Sequence, residues 1–346
     1  MLAWVLWPVS WLYRAAWQLR QLAYRWGLRP VHRSSVPVIV VGNVVAGGAG
    51  KTPVVIAIVQ HLQSRGLRPG VVSRGYGRRN GGCRLVIPAS SPLEVGDEPL
   101  LIRQRTGAPV AVAASRIEAA QALLRADPTL DLLICDDGLQ HHALHRDIEI
   151  CLFDDRGVGN GFLLPAGPLR EPWPRAVDLV ISSGATASGG NTHPVRRALA
   201  AHAHRADGTR MALRDLASQS AQTGRPLLAV AGIARPQLFF AMLRERGLQL
   251  SRTLALSDHA AYDAAQWTRD DGMTVLCTEK DAVKLWPLRP DVLAVPLLVH
   301  LEAPFWQALE QLLVARGSQQ IRAKLSSADG HTPARPVGLP GHQGPA

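Results

Sequence analysis

GNVVAGGAGKT, residues 42–52, joins an apolar, β-branched run at residues 37–41 to a helical pattern that runs from Lys51 to about Ser64. Glycines let backbone N–H groups curl around phosphate oxygens, and the start of a helix adds partial positive charge there. The order of strand, glycine loop and helix is therefore typical of a phosphate-binding loop. The strict pattern, GxxxxGK followed by Ser or Thr, requires glycine where this chain has Val45, so the loop is a variant.

The loop predicts a site for a nucleoside triphosphate. Lys51 would reach the β- and γ-phosphates, and the hydroxyl of Thr52 would bind Mg²⁺. The residues predicted to bind the nucleotide are Gly47, Gly48, Ala49, Gly50, Lys51 and Thr52.

The composition narrows the class of protein. With 346 residues, of which 47% are apolar and 19% charged, the chain has enough apolar surface for two cores and is not globally disordered. Its net charge of +11 comes almost wholly from arginine, because only four residues are lysine. No basic run is interleaved with aromatic residues, so we expect an acidic substrate or a membrane surface as partner, and no nucleic acid. Four widely separated cysteines indicate a reducing compartment.

Apolar strand-like runs alternate with helical patterns twice along the chain. This alternation predicts an α/β fold with a parallel sheet covered by helices on both faces. The second alternation follows a poorly defined connection at residues 183–224 and includes one predicted strand at residues 292–299. The predicted division is a helix at residues 1–29, a phosphate-loop domain at 30–224, a smaller α/β domain at 225–316 and a disordered tail at 317–346.

The first 29 residues hold five of the nine tryptophans. Polar residues recur there every three or four positions, at Arg14, Gln18, Gln21 and Arg25, and apolar residues occupy the opposite side. This spacing predicts an amphipathic helix that lies in a membrane interface, since tryptophan prefers the headgroup level. Packing of the same helix against the protein's own core is the alternative. No apolar stretch is long enough to span a bilayer.

Acidic residues occur at two boundaries between predicted elements. Asp136 and Asp137 directly follow the apolar run at residues 130–135, so they complete a metal site at the edge of the sheet or cap a helix. Asp97 precedes a helix that begins near Glu98. It is either the N-cap of that helix or the group that accepts a proton from a substrate hydroxyl.

At this point the chain resembles one family closely, the tetraacyldisaccharide 4′-kinases, which are the lipid A 4′-kinases of Gram-negative bacteria. The similarity extends over roughly residues 36–286, in the family's order. The matching blocks are Gly42-Asn43 with Gly47–Pro53, Ser73–Gly77, Val95–Pro99, Asp136–His141, Leu164–Glu171 and Thr278–Lys284. These blocks together are far more specific than the phosphate-binding loop alone, and the family does not keep the glycine that Val45 replaces.

The resemblance implies transfer of the γ-phosphate of ATP, with Mg²⁺, to the 4′-hydroxyl of a lipid A disaccharide 1-phosphate, which gives lipid IVA. It also implies two α/β/α sandwich domains, joined by a short β linker, with the active site between them. A protein of this family is expected to be peripheral, on the cytoplasmic face of the bacterial inner membrane, and docked through its N-terminal helix. The oligomeric state stays unassigned.

Individual roles are carried over from the resemblance. It implies that Asp97 is the general base and that His259 is its partner. Lys51 and Arg170 complete the expected catalytic set. The residues expected at the metal are Thr52, Asp136, Asp137 and Glu171. Many relatives have a second histidine after His259, where this chain has Ala260.

Two other classes of ATP-binding protein remain as alternatives. A deviant-loop ATPase of the partitioning or nickel-insertion kind has lysine where this chain has Ala46. Metal delivery would be favoured only by His141, His142 and His145, whose spacing is not diagnostic of a zinc site. A soluble nucleoside-type kinase would leave the tryptophan-rich start unexplained.

Overall fold

The structure is a computed structural model that describes residues 2–184, 191–263, 267 and 272–328. Its helices in this part of the chain are α1 (Leu2–Arg25), α2 (Lys51–Ser64), α3 (Pro92–Val95), α4 (Asp97–Thr106), α5 (Arg116–Ala126), α6 (Leu213–Thr223), α7 (Pro236–Glu245), α8 (Glu279–Leu285), α9 (Ala303–Arg316) and α10 (Gln319–Ala328). Its strands are β1 (Val38–Gly42), β2 (Pro69–Ser73), β3 (Arg84–Val86), β4 (Val110–Val112), β5 (Leu132–Asp136), β6 (Ile148–Phe153), β7 (Leu179–Ser182), β8 (Thr192–Leu199), β9 (His202–His204), β10 (Arg210–Ala212), β11 (Leu227–Ala231), β12 (Leu250–Ala255), β13 (Thr274–Thr278), β14 (Leu293–Val295) and β15 (Leu297–Leu301).

The larger sheet carries the glycine loop. Among the described residues its strand order is β15-β8-β7-β6-β1-β5-β2-β4-β3, and every neighbouring pair from β8 to β4 is parallel. The central strand β1 is buried at every position, because Ile39 and Val41 face one core and Val38 and Val40 face the other. A strand covered on both faces is a continuous apolar run for this reason. The predicted α/β class is confirmed.

Helices cover both faces of this large sheet. On one face, apolar residues of α2, α4, α9 and α10 form a single core with alternate residues of the strands. On the other face α5 supplies the core, and the ring of Tyr13 from α1 packs against it. The small sheet has the order β10-β9-β14-β13-β11-β12 within the described chain. α6 and α7 pack on one of its faces and α8 on the other.

The chain passes between the sheets beside the antiparallel pair β8 and β15, which are in register from Leu199 with Leu297 to Val195 with Leu301. Pro296 separates β14 in the small sheet from β15 in the large one. A proline has no N–H to donate to a ladder, so the pairing changes there. The single strand predicted at residues 292–299 is therefore two strands in different sheets.

This crossing changes the predicted division of the chain. β9, β10 and α6, within residues 183–224, belong to the small sheet or pack on it, whereas β15 and α9, within residues 225–316, belong with the large sheet. The predicted loose connection is instead largely regular, since β8 is a strand of eight residues. Its polar composition hid it, because this strand is only partly buried.

The predicted disordered tail was wrong for its first part. Residues 319–328 form α10, and Ile321 and Leu325 are buried against the large-sheet core. These two apolar residues are four positions apart and lie on one helix face, but the polar residues around them masked the pattern. Residues 329–346 lie outside the described residues.

One face of α1 contacts the loops of the large sheet. The buried hydroxyl of Ser10 donates to the carbonyl of Leu163 (2.9 Å) and accepts from the amide of Ala166 (3.0 Å). The phenol of Tyr13 donates to the carbonyl of Arg170 at 2.7 Å. The alternative of packing on the protein itself therefore describes this face of the helix.

A different face of the N-terminal segment carries apolar side chains into solvent. Val5, Leu12, Leu19 and Trp26 are seven residues apart, which is about two helical turns, and each is about 70% exposed. Gln21, predicted on the wet face, instead contacts a ring nitrogen of His142. No helix in the described part of the chain has both the length and the apolar character needed to cross a membrane.

Candidate active site between the two sheets

The phosphate loop, residues 42–52, follows the central strand β1 and ends at the first turn of α2. Gly50, the N-cap of α2, has φ 72°, a left-handed conformation that favours glycine. Asn43 is fully buried and donates to the carbonyl of Val45. Its side-chain oxygen accepts from Nζ of Lys51 at 3.2 Å. Asn43 therefore fixes the start of the loop and aims Lys51 back over it.

The carboxylate of Asp137 lies beside Lys51. Nζ of Lys51 is 3.6 Å from Oδ1 of Asp137, and a guanidinium nitrogen of Arg170 is 3.3 Å from both carboxylate oxygens. Asp137 has φ 51°, so its backbone is in the left-handed region that non-glycine residues seldom adopt. Such conformations cluster at functional sites. The residues predicted at positions 51, 137 and 170 are thus brought together.

Asp136 occupies the C-terminal end of β5, next to β1, and is buried. Burial raises the pKa of Asp136 to about 7, and the nearby carboxylates of Glu98 and Asp137 act in the same direction. Its Oδ2 accepts from the hydroxyl of Ser73 at 3.4 Å, but its Oδ1 has no hydrogen-bond partner among the described residues. An orphaned carboxylate oxygen of this kind is suited to a cation. The described residues 137–147 contain no helix for either aspartate to cap.

Glu171 is placed differently from the expectation that it belongs to the metal site. Its side chain is fully buried, accepts from the amide of Gln140 at 2.8 Å and lies 3.3 Å from the guanidinium of Arg175. The same amide of Gln140 also donates to the carbonyl of Asn43. Glu171 therefore supports the phosphate loop through Gln140. Among the described residues no group of three or more His, Cys, Asp or Glu could by itself hold a metal ion.

The second group of predicted residues is a cluster on the other side of the cleft, the Asp97 cluster, which consists of Asp97, His259, Lys280 and Lys284. Nδ1 of His259 is 3.1 Å from both carboxylate oxygens of Asp97, across 162 positions of sequence. Gly96 is the N-cap of α4, so Asp97 does not cap that helix. His259 has φ 60°, the second non-glycine residue in the left-handed region. The expected pair is therefore formed.

Lys280 determines which nitrogen of His259 carries the proton. An ammonium donates only, and Nζ of Lys280 is 3.2 Å from Nε2 of His259, so Nε2 must be the acceptor. The ring proton is thereby assigned to Nδ1, which donates to Asp97. The other donors of Lys280 go to Asp258 (2.8 Å) and Glu98 (3.1 Å). Burial would lower the pKa of Lys280, but these carboxylates and Asp97 raise it above its ordinary value.

The charge state of Asp97 follows from the same contacts. Burial alone would raise the pKa of Asp97, but the hydrogen bond from His259 and the charges of Lys280 and Lys284 outweigh it, so the pKa lies below its usual value. Nζ of Lys284 is 3.4 Å from Asp97 and also donates to the carbonyl of Ala260. Ala260, which stands where many relatives have a second histidine, thus contributes only its backbone carbonyl. Asp97 is an ionised carboxylate at neutral pH and can accept a proton.

One cavity joins the two groups. Lys51 and Thr52 line it from the phosphate loop, and Glu98, Asp258 and Lys280 line it beside the Asp97 cluster. The remainder of its wall is mainly apolar and comes from both sheets. Of the predicted site residues, Gly48, Ala49, Gly50, Lys51 and Thr52 line this cavity. His259 contacts the lining residue Lys280, and Asp97 directly precedes the lining residue Glu98.

Sequence reasoning assigned no role to several residues of this site. Asn43, Lys280 and Lys284 lie inside blocks that carried the family resemblance, and Arg116 lies outside them. The buried guanidinium of Arg116 donates to the carbonyls of Asp136 and Asp137. The signal for the two lysines was available, because they are half of the four in the chain and stand four residues apart on one helix face.

Comparisons with known proteins point to one family. A family model described as tetraacyldisaccharide-1-P 4′-kinase matches residues 2–315. The tetraacyldisaccharide 4′-kinase of Acidovorax sp. (strain JS42) is 56% identical over 320 residues, 92% of each chain. That of Polaromonas naphthalenivorans (strain CJ2) is 54% identical over 340 residues, 95% of each chain. A crystal structure of "apo" form LpxK from Aquifex aeolicus in complex with ATP has a TM-score of 0.77 and 28% identity, and the match covers 92% of this chain and 100% of that one.

Proposed function

The chain belongs to the tetraacyldisaccharide-1-P 4′-kinase family, and from that premise we propose how its cleft works. The enzyme transfers the γ-phosphate of ATP to the 4′-hydroxyl of a tetraacyldisaccharide 1-phosphate, which gives lipid IVA, a step of lipid A biosynthesis. The observation that supports this assignment is the shared cavity, which is lined by the phosphate loop on one side and, on the other, by Lys280 of the Asp97 cluster, which contacts His259. A phosphoryl donor and a hydroxyl acceptor can meet there.

ATP binds at the phosphate loop in this proposal. The backbone amides of Gly47, Gly48, Ala49 and Gly50 and the positive end of α2 receive the phosphates. Lys51 exchanges its contact with Asp137 for the β- and γ-phosphate oxygens. Arg170 keeps Asp137 paired when Lys51 leaves it, because its guanidinium already contacts both carboxylate oxygens.

Thr52 and Asp136 fit a magnesium ion bound with the nucleotide. Thr52 has its hydroxyl at the first turn of α2, and Asp136 offers the buried oxygen that has no partner in the described chain. Oxygen ligands from one or two side chains plus phosphates are what Mg²⁺ takes in such sites. Bound there, Mg²⁺ would neutralise charge on the phosphates. Asp137 is already paired with two cations, so Asp136 is the proposed direct ligand.

Asp97 accepts the proton of the 4′-hydroxyl. Phosphoryl transfer has a loose transition state, so an aspartate with a lowered pKa suffices as the base, because the proton leaves late. His259 holds the carboxylate through Nδ1, and Lys280 keeps the ring from turning by occupying Nε2. Catalysis then depends on positioning more than on base strength.

A direct assay tests the activity. Purified protein is incubated with γ-labelled ATP, Mg²⁺ and the tetraacyldisaccharide 1-phosphate in detergent, and the lipid is analysed for a 4′-phosphate. We expect labelled product with the wild type and almost none with Asp97→Asn. If the label appeared only in inorganic phosphate and the lipid stayed unchanged, the protein would be an ATPase, and the kinase assignment for this chain would be overturned.

The N-terminal segment is proposed to lie on the cytoplasmic surface of the inner membrane. Support comes from the apolar face of Val5, Leu12, Leu19 and Trp26, which is exposed while a different face of α1 contacts the loops of the large sheet. Aromatic and aliphatic side chains on a helix beside arginines suit the headgroup boundary. ATP as donor and four cysteines without disulfides fit the cytoplasmic side.

Vesicle sedimentation tests the membrane proposal. Leu12→Asp and Leu19→Asp place charge on the protruding face and should release the protein from vesicles that contain anionic lipid. Val314→Asp is the matched control, because Val314 is an exposed apolar residue on α9, outside the N-terminal segment. Equal sedimentation of all three variants would contradict the proposal.

A further inference from the structure

Arg197 stands out among the arginines that surround the phosphate loop. It lies on β8, in register with Val299, and lines the same cavity as Lys51 and Thr52. One guanidinium nitrogen donates to the carbonyl of Ala49 at 2.6 Å. A Cβ built on Gly50 would come within 2.9 Å of the guanidinium carbon. The side chain therefore lies against the loop at the point where α2 begins.

The other arginines around the loop have carboxylate partners. Arg156 contacts Asp154 at 2.7 Å, and Arg235 pairs with Asp155. Within the described residues no carboxylate is within ion-pair distance of Arg197, and its Nε has no hydrogen-bond partner. Arg197 is thus a half-buried guanidinium whose charge has no direct counter-ion.

Such a placement is unfavourable unless an anion joins it. A cation at the N-terminus of a helix opposes the helix dipole, which favours negative charge there. A desolvated charge without a partner adds a further cost, and burial lowers the pKa of Arg197 although Asp154 and Asp155 act against this. Lys51 adds a second positive charge at the same helix end. The missing component is an anion with several oxygens.

We propose that Arg197 binds the polyphosphate of the nucleotide, opposite Lys51, from a strand that pairs with the chain returning from the small sheet. This rests on the proposed function, because the anion is taken to be ATP. The planar fork of a guanidinium suits two phosphate oxygens at once. β8 and β15 connect the sheets, so this contact also ties nucleotide binding to the segment where the chain crosses between them.

The alternative role is structural, since the bond to the carbonyl of Ala49 could simply brace the loop. Arg197→Gln keeps a neutral donor for that carbonyl, whereas Arg197→Lys keeps the charge. If Arg197 binds phosphate, Arg197→Lys should retain more affinity for nucleotide than Arg197→Gln. If Arg197 only braces the loop, the nucleotide affinity of Arg197→Gln should equal or exceed that of Arg197→Lys. Arg196→Gln is the matched control, because its neighbour Arg196 is exposed.

Calorimetric titration with Mg²⁺ and a non-hydrolysable ATP analogue, ADP or adenosine is the test. Because a hydrogen bond to a charged group is lost, Arg197→Gln should weaken binding of the analogue or of ADP roughly 10- to 100-fold and leave binding of adenosine unchanged. If only the analogue binds more weakly, Arg197 contacts the γ-phosphate; if the analogue and ADP both bind more weakly, it contacts the β-phosphate. An equal loss of affinity for all three ligands, or no loss for any of them, would overturn the proposal.

A parallel titration separates this inference from the proposed function. Lys51→Ala should lose nucleotide binding in any phosphate-loop protein. If the wild type binds the analogue and Lys51→Ala does not, while Arg197→Gln binds like the wild type, Arg197 fails and the function stands. If the wild type itself does not bind, the function fails. Melting curves confirm that each variant is folded.

Discussion

The two sides of the cleft are built in different ways. The phosphate loop is continuous with β1 and α2, and its internal contact joins Lys51 to Asn43, eight residues away. The Asp97 cluster joins α4, which packs on the large sheet, to His259, 162 residues along the chain, and to α8, which packs on the small sheet. One side is set by local backbone geometry, whereas the other exists only when both sheets are assembled.

That difference separates binding from chemistry. Nucleotide affinity should depend on the phosphate loop and survive damage to the Asp97 cluster, while turnover should need both. The contrast therefore holds if substitutions in the Asp97 cluster lower turnover and leave nucleotide affinity unchanged, and it fails if they lower both.

Lys51→Ala should have the largest effect. The ammonium group of Lys51 is the positive charge that the loop itself supplies, and it lies 3.6 Å from Asp137. Its removal leaves the negative charge that develops on the phosphates unopposed. Loss of one such electrostatic group costs on the order of 10³ in kcat, together with nucleotide affinity. Steady-state kinetics and calorimetry measure both. Lys324→Ala, a lysine paired with Asp131 outside the cleft, is the control and should keep both.

Asp97→Asn should lower kcat by about 10²-fold, as loss of a general base does, and leave ATP affinity unchanged. The amide keeps the size of the side chain but cannot take the proton. The matched control is Asp215→Asn, an exposed aspartate of α6 whose side chain is 65% accessible. Loss of affinity equal to the loss of turnover would show that Asp97 serves the nucleotide and not the acceptor.

His259→Ala should lower kcat about tenfold, because its part is to orient the carboxylate and not to touch the acceptor. Combined with Asp97→Asn it should add almost nothing, since residues that act as a unit are not additive. The double-mutant cycle is read from kcat at saturating ATP. Additive losses would mean that His259 acts independently of Asp97.

The sequence predicted these two sides unequally, for the same physical reason. A glycine loop between an apolar run and a helix fixes its own geometry, so the roles of Lys51 and Thr52 were evident from spacing. The contact of Asp97 with His259 depends on how the two sheets pack, and only the family resemblance paired them. Packing also decided what was missed: the break at Pro296, the strand β8 and the burial of α10 all depend on partners distant in sequence.

The acid dependence of stability provides a smaller test. The pKa of Asp97 is below its ordinary value, so the folded state favours the ionised carboxylate. That contribution is complete above the ordinary carboxyl pKa of about 4 and is lost as pH falls through the lower folded value. Urea unfolding should therefore show Asp97→Asn less stable than the wild type at pH 7, with the difference shrinking below about pH 4. A difference that is constant with pH would contradict the assigned charge state.

Tyr13→Phe should have the smallest effect. This variant tests whether α1 supports the phosphate-loop side of the cleft. The phenol donates to the carbonyl of Arg170, the residue that holds Asp137. Losing that hydrogen bond costs about 1 kcal/mol, which would be roughly a fivefold fall in kcat if it displaces Arg170. Tyr24→Phe, on the same helix, is the control.

The assay uses substrate in detergent micelles, where membrane docking is not needed. A deficit that appears only with bilayer-bound substrate would make α1 an anchor alone, whereas a deficit in micelles makes it a support of the loop that positions Asp137.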